Sequence, residues 1–167
     1  MHEFKETVLQ TLEHSYDPRT AQSRPKKPYE FPTGFNTSFG KLRFQIPELI
    51  FDPKYILGQT STFPGLGQLT HGVVASIDPD IRALMLQNVV LTGAASLLSG
   101  VAERLNYELG VLAPGVKVRV HAAGNSVERK YGAWIGGSIL ASLGTFHQLW
   151  ISKAEYDEFG VNILDRR

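Results

Sequence analysis

Residues 88–123, NVVLTGAASLLSGVAERLNYELGVLAPGVKVRVHAA, change hydrophobic period twice within one short span. A β-branched run ends at Thr92-Gly93, and a loop of small residues follows. Ala102, Leu105, Leu109 and Leu112 then recur at helical spacing and predict one apolar helix face. Pro114-Gly115 stops that helix, and VKVRVHA alternates as a strand does. A strand, loop, helix, strand unit requires a parallel or mixed sheet with a helix laid on it, so the fold class is α/β.

The remaining chain is consistent with such a core. At 167 residues, with 43% hydrophobic and 20% charged residues, it has the composition of a folded globular domain. The formal net charge is only +1, so no whole-molecule field draws it to nucleic acid or anionic lipid. The absence of cysteine excludes disulfides, thiolate nucleophiles and cysteine metal sites, and favours an intracellular location.

MHEFKETVLQTLEHS does not have the layout of a signal peptide. Phe4, Val8, Leu9 and Leu12 predict an amphipathic helix that starts almost at Met1, as if the chain began mid-fold. YDPRTAQSRPKKPYEF reads as an exposed connection, and its basic run Arg24, Lys26, Lys27 as a solvated loop rather than a nucleic-acid patch. Pro32, Thr33 and Gly34 predict a hairpin turn between two aromatic-rich extended segments. IPELIFDPKYI suits a helical turn, GQTSTFPGLGQLT a loop, and a helical pattern starts at His71. Asp78, with Pro79 after it, predicts a helix cap.

The stretch YGAWIGGSILASLGTFHQLWIS, residues 131–152, carries no charge and contains a Gly132/Gly136 pair, which raises the question of a membrane helix. Ser138, Ser142, Thr145, His147 and Gln148 interrupt it, and Gly144-Thr145 predicts a break. One uninterrupted lipid-facing helix is therefore not expected. Asn125 with Glu128, and Ser152 with Glu155, have capping-box spacing.

Local motifs for chemistry are sparse. The five histidines do not pair at metal-ligand spacing, no G-x-S-x-G or H-E-x-x-H occurs, and no metal site is expected. LTGAASLL is the one loop whose small residues let backbone N–H groups approach an anion or a flat ring, though on its own it is better explained by tight packing.

At VERKYGAWIGGSILASLGTFHQLWISKAEYDEFG the sequence resembles the C-terminal part of actins and actin-related proteins. The resemblance extends back through IDPDIRALMLQNVVLTG, GVAERLNYEL and YEFPTGFNTSFGKLRFQIPELIFDP to FKETV, and so covers nearly the whole chain. Within that family YEFPTGFNTSFG, AAGNSVERKYGAW and SLGTFHQLW look closest to the nuclear actin-related protein 4 subfamily. The resemblance implies the C-terminal portion of an actin-like, ribonuclease-H-like fold. Residues 1–18 would form the terminal helix of subdomain four, 19–130 mainly subdomain three, and 131–167 the returning helices of subdomain one, consecutive short helices in which Gly136 and Gly137 permit close packing rather than a membrane span. It also implies a chain corresponding to a later portion, without the two glycine-rich phosphate loops of the family's first half.

Nucleotide-side positions carry over by the same resemblance. Lys5 and Glu6 match the lysine-glutamate pair near ribose and base, and Gly93 and Ala94 match paired glycines. Leu97 and Leu98 match the base-contacting pair, and Lys130 a lysine beside the adenine. Ala94, Ala95 and Leu98 replace a glycine, a polar residue and a tyrosine, which weakens base stacking and hydrogen bonding without forbidding ATP in the full-length protein. Ile139, Leu140, Leu143, Thr145 and Leu149 match the apolar barbed-end cleft that receives amphipathic helices.

The function implied is a non-catalytic structural subunit of nuclear chromatin-remodelling and histone-acetyltransferase complexes. It would pair with actin on a scaffold's helicase-SANT-associated helix and meet histones or nucleosomal DNA indirectly. The alternatives are an ATP-hydrolysing, filament-forming actin relative, against which Ala94, Ala95 and Leu98 argue, and a sugar or acetate kinase on the same fold, for which no substrate cleft is evident.

Overall fold

A computed structural model of the chain describes residues 2–58 and 62–166. Helix α1 (His2–Val8) is far shorter than the helix expected over residues 1–18. Leu9 and Leu12 continue the helical spacing and are buried, yet they lie in extended chain. The backbone there is claimed by distant partners: Gln10 N–H donates to the Arg43 carbonyl at 3.0 Å, and Thr11 N–H to the Ser99 carbonyl at 2.8 Å. Tertiary hydrogen bonds replace the next helical turn.

The expected connection after it contains helix α2 (Pro18–Ser23), because Asp17 caps it and Pro18 stands at its first position. The Asp17 carboxylate accepts from the Thr20 N–H at 2.9 Å and the Thr20 hydroxyl at 2.8 Å. Ala21 from this helix is fully buried against Leu12 and Phe44.

The hairpin forms as predicted. Strands β1 (Lys27–Glu30) and β2 (Asn36–Phe39) pair antiparallel, with Tyr29 opposite Thr37. Gly34 closes the turn at φ 81°, its N–H donating to the Phe31 carbonyl. Phe4 of α1 packs on the hairpin's aromatic side, with ring centroids 5.2 Å from Tyr29 and 4.8 Å from Phe39. Lys27 Nζ donates to the Thr7 carbonyl.

Three short helical segments follow: α3 (Leu42–Gln45), a 3-10 turn (Ile46–Ile50) and α4 (Pro53–Leu57). The loop expected beyond them falls partly on residues 59–61, outside the described residues. Helix α5 (Leu66–Ala75) begins earlier than the His71 start expected. Gly65 permits this: at φ 92° it brings its backbone so close to Phe51 that any Cβ would overlap the Phe51 carbonyl oxygen. Helix α6 (Pro79–Leu86) starts at the predicted cap, with Asp78 accepting from the Asp80 N–H at 3.0 Å.

The strand, loop, helix, strand unit is the centre of the α/β fold. Strand β3 (Val89–Leu91), helix α7 (Val101–Leu112) and strand β4 (Val120–Ala122) form a parallel crossover, with Val89 opposite Val120. From Val116 to Ala122 every second residue is half-buried and the residues between are exposed, a period of two that starts ahead of β4 itself. Val101, Leu105 and Leu109 meet Phe51 and Leu86 in the main core. The buried face of α7 differs from the expected one: Ala102 and Leu112 are half-buried, whereas Arg104 is buried.

Arg104 is tolerated there because every group it offers is paired. Its Nη2 donates to Glu48 Oε1 at 2.6 Å, Nη1 to Glu48 Oε2 at 3.0 Å, and Nε to Glu108 Oε1 at 2.7 Å. Nη1 also reaches the carbonyl of His14 at 2.5 Å. Burial opposes its charge, but the two carboxylates outweigh it and hold the guanidinium pKa above the usual value.

Helix α8 (Ser126–Ser142) is one long helix rather than the first of several short pieces. The expected break follows it, where Leu143 turns extended and a 3-10 turn (Gly144–Leu149) takes over. Helix α9 (Lys153–Phe159) then starts with the expected capping box of Ser152 and Glu155, and a last 3-10 segment covers Gly160–Arg166. Among the described residues no helix is long and apolar enough to cross a membrane. The close-packing glycine of α8 is Gly132, whose Cβ would come 2.7 Å from Thr92 Oγ1. Gly136 and Gly137, expected in that role, have open space where a Cβ would stand.

Candidate functional site

A cleft of about 750 Å³ opens where three distant segments converge. Helix α1 supplies Lys5 and Glu6, the 3-10 turn Ala94–Leu97 supplies Ala94, Ala95 and Leu97, and the first turns of α8 supply Ser126, Val127, Lys130 and Tyr131. Leu9, Ile50 and Leu98 complete the lining. The volume falls in the range of small-molecule sites, roughly 300–1,000 Å³.

Six of the seven residues matched to the nucleotide side therefore face one cavity: Lys5, Glu6, Ala94, Leu97, Leu98 and Lys130. Gly93 does not line it. At φ 95° it turns the chain out of β3, and its carbonyl accepts from the Ser96 N–H at 3.0 Å and the Ser96 hydroxyl at 2.7 Å. Its contribution is the shape of the loop, not a surface on the cleft.

The loop is clamped to α8 by Arg129, a residue the sequence reading passed over. Arg129 Nε donates to Ser96 Oγ at 3.0 Å and Nη2 to the Ser96 carbonyl at 2.7 Å. In return the Arg129 carbonyl accepts from the Gly93 N–H at 2.8 Å and the Thr92 hydroxyl at 2.9 Å. Four hydrogen bonds between one residue and one loop fix two walls of the cleft relative to each other. Asn125 Oδ1 starts the helix by accepting from Val127 N–H at 2.8 Å and Glu128 N–H at 3.3 Å.

Chemically, the cleft presents an apolar floor with charge at its rim. Leu9, Ile50, Leu97, Leu98 and Val127 suit a flat ring, while Lys5 and Lys130 offer two ammonium groups and Glu6 one carboxylate. Lys130 Nζ lies 5.4 Å from the Tyr131 ring centroid. Among the described residues none of the three rim charges is in an ion pair. Ser126 and Tyr131 are the lining hydroxyls, and neither hydrogen-bonds a carboxylate or imidazole among the described residues. The arrangement can hold an anionic ligand with a flat ring, and among the described residues it displays no pair of nucleophile and base.

The second group of matched residues lies at the far end of α8. Ile139 and Leu140 are in its last turn, Leu143 at the break, and Thr145 and Leu149 in the following 3-10 turn. All five are exposed, Ile139 at 61% and Leu149 at 62%. Trp150 beside them is also 61% exposed, and its ring meets Phe146 edge-on at 6.0 Å. No residue of α8 is buried among the described residues. The end of α8 and the turn after it thus present a run of exposed apolar side chains.

The family model described as Actin matches residues 1–167, and the chain belongs to the actin family. Among curated relatives, it is 50% identical over 154 residues to actin-related protein 4 of Emericella nidulans, which covers 88% of this chain and 33% of that protein. It is 41% identical over 177 residues to actin-related protein 4 of Neurospora crassa, covering 99% of this chain and 38% of that protein. A relative in Schizosaccharomyces pombe named SWI/SNF and RSC complexes subunit arp42 is 42% identical over 166 residues, covering 96% of this chain and 39% of that protein. The chain thus spans between 33% and 39% of the length of these relatives.

Proposed function

We propose that this chain is the actin-like portion of a structural, non-catalytic subunit of nuclear chromatin-remodelling and histone-acetyltransferase complexes. The subunit pairs with actin along a helicase-SANT-associated helix of a scaffold protein, and it reaches histones or nucleosomal DNA through the assembly. The observation that carries this reading is the uncovered apolar run Ile139, Leu140, Leu143 and Leu149 at the end of α8. An amphipathic helix needs an exposed apolar surface of this kind, against which its anchors at i, i+3, i+4 and i+7 pack. The printed name of the fission-yeast relative, a subunit of SWI/SNF and RSC complexes, supports the setting and with it a nuclear location.

ATP belongs to the proposal as a bound structural ligand of the full-length protein. Lys5, Glu6 and Lys130 at the rim and Leu97 and Leu98 on the floor support retention of a nucleotide. Ala94 and Ala95 bring no polar side chain to it, which supports binding without turnover. The test is reconstitution: the intact protein mixed with purified actin and a scaffold helix should elute as one complex by size exclusion. Separate elution of the three components contradicts the proposal.

A further inference from the structure

The loop that carries Ala94, Ala95, Leu97 and Leu98 into the cleft is tied down at both ends by backbone and in its middle by one side chain. At its start the Gly93 N–H donates to the Arg129 carbonyl at 2.8 Å. At its end the Thr11 N–H donates to the Ser99 carbonyl at 2.8 Å, and at Gly100 beside it any Cβ would overlap the Thr11 carbonyl oxygen. In the middle stands Ser96, 4% exposed, which does not line the cleft although its neighbours Ala95 and Leu97 do. Its hydroxyl and its carbonyl both accept from the Arg129 guanidinium, at 3.0 Å and 2.7 Å.

Among the described residues every hydrogen bond between this loop and α8 runs through Arg129. The residue after it is Lys130, which lines the cleft as Arg129 does not. Arg129 is half-buried, spends its guanidinium on neutral oxygens, and is in no ion pair among the described residues. A planar fork that grips one residue by two acceptors fixes direction as well as distance, which a single flexible ammonium does not. The apolar floor at Leu97 and Leu98 and the cation at Lys130 are thereby held in one relative placement.

We infer that Arg129 is a positioning residue for the ligand of the cleft: through Ser96 it sets the separation between the ring-binding leucines and Lys130, so that a ligand with both a flat ring and an anionic group meets the two together. The inference rests on the nucleotide reading of the cleft. Holding two subsites at one separation raises affinity only for a ligand that spans both, because the second contact then costs little further freedom. A ring alone gains nothing from it. The signature of positioning is therefore a reduced preference for ATP over adenosine when the clamp is broken, whereas a general loosening of the loop weakens both ligands by the same factor.

The test is calorimetric titration of the intact protein with ATP and, separately, with adenosine. Arg129→Met keeps the length of the side chain and the two bonds that its backbone carbonyl accepts, from Gly93 and Thr92. It should bind ATP about tenfold more weakly and adenosine within about twofold of the unaltered protein. Ser96→Ala removes one of the two acceptors without changing any charge; it should lower the same preference about threefold, and it carries the test if Arg129→Met unfolds. Lys130→Ala should weaken ATP binding about fivefold in the unaltered protein and add little to Arg129→Met, because the two residues act as a unit. Equal weakening of ATP and adenosine in Arg129→Met, an unchanged preference in Ser96→Ala, or full additivity of Arg129→Met with Lys130→Ala each overturns the assignment and leaves the nucleotide reading in place. Binding of neither ligand by the unaltered protein overturns the nucleotide reading, and the assignment falls with it.

Discussion

Arg104 Nη2 donates to Glu48 Oε1 at 2.6 Å, and the two side chains are 1% and 2% exposed. The pair joins α7 of the parallel crossover to the 3-10 turn after α3, and through the His14 carbonyl it also holds the segment that follows α1. Removing the arginine alone strands a buried carboxylate. Arg104→Met should therefore lower unfolding free energy by about 3–5 kcal/mol, measured by chemical denaturation. Adding Glu48→Gln should recover part of that loss, because the charge left unpaired is then gone.

Two glycines separate steric overlap from backbone conformation. Gly34 and Gly65 both have positive φ, 81° and 92°, but a Cβ at Gly34 meets open space and one at Gly65 overlaps the Phe51 carbonyl. Gly34→Ala should cost about 1–2 kcal/mol. Gly65→Ala should cost more than about 3 kcal/mol, with loss of α5 helicity by circular dichroism as the accompanying sign.

Burial raises the Glu108 pKa above 4.5 despite the hydrogen bond from Arg104. A raised folded-state value means the native state holds the proton more tightly than the unfolded chain. Its contribution to stability is thus fully present below pH 4.5 and is lost as pH rises through the folded value. Glu108→Gln removes this dependence, so the difference in stability, variant minus unaltered protein, should increase with pH across that window. Denaturation series at fixed ionic strength from pH 4 upward check it.

The Asp17 cap has the opposite sign. Its hydrogen bonds from Thr20 hold the carboxyl below its ordinary 3.8, so its stabilising effect is present above that value and fades as pH falls through the lower one. Asp17→Asn keeps a capping acceptor without the titration. The variant should lose less stability than the unaltered protein on acidification below about pH 4, read by the same denaturation series.

If the cleft holds a nucleotide, its rim charges and floor should contribute differently. Lys130→Ala should weaken binding of a fluorescent ATP analogue about fivefold, the scale of one exposed charge interaction. Leu97→Trp should abolish it by filling the floor. Equal affinity in all three proteins would place the nucleotide elsewhere.

Local chemistry made several elements legible before any coordinates. The Pro32-Thr33-Gly34 turn, the Asp78-Pro79 cap and the alternation from Val116 to Ala122 each depend on neighbours in sequence, and each formed as read. Misreadings came where distant partners decide. Leu9 and Leu12 carry a helical pattern, yet Arg43 and Ser99 take the backbone hydrogen bonds that the helix would need. Arg104 has the sequence signature of a surface charge, because Glu48 lies 56 residues away. The cleft was invisible to periodicity: LTGAASLL alone fitted packing better than binding. Family resemblance matched nucleotide-side residues in α1, the loop and the start of α8, and the fold brings all of these except Gly93 to one cavity.

The central claim is that the uncovered end of α8 receives a scaffold helix. The most direct measurement is calorimetric titration of the intact protein, with actin present, by a helicase-SANT-associated helix, alongside a Leu140→Asp, Leu143→Asp variant. Both leucines are about half exposed and belong to neither buried core cluster, so the variant should fold with an unchanged unfolding midpoint. The account predicts saturable binding that the variant weakens at least about a hundredfold, the loss of two apolar anchors. Equal binding by the variant and the unaltered protein, or no binding by either, would contradict it.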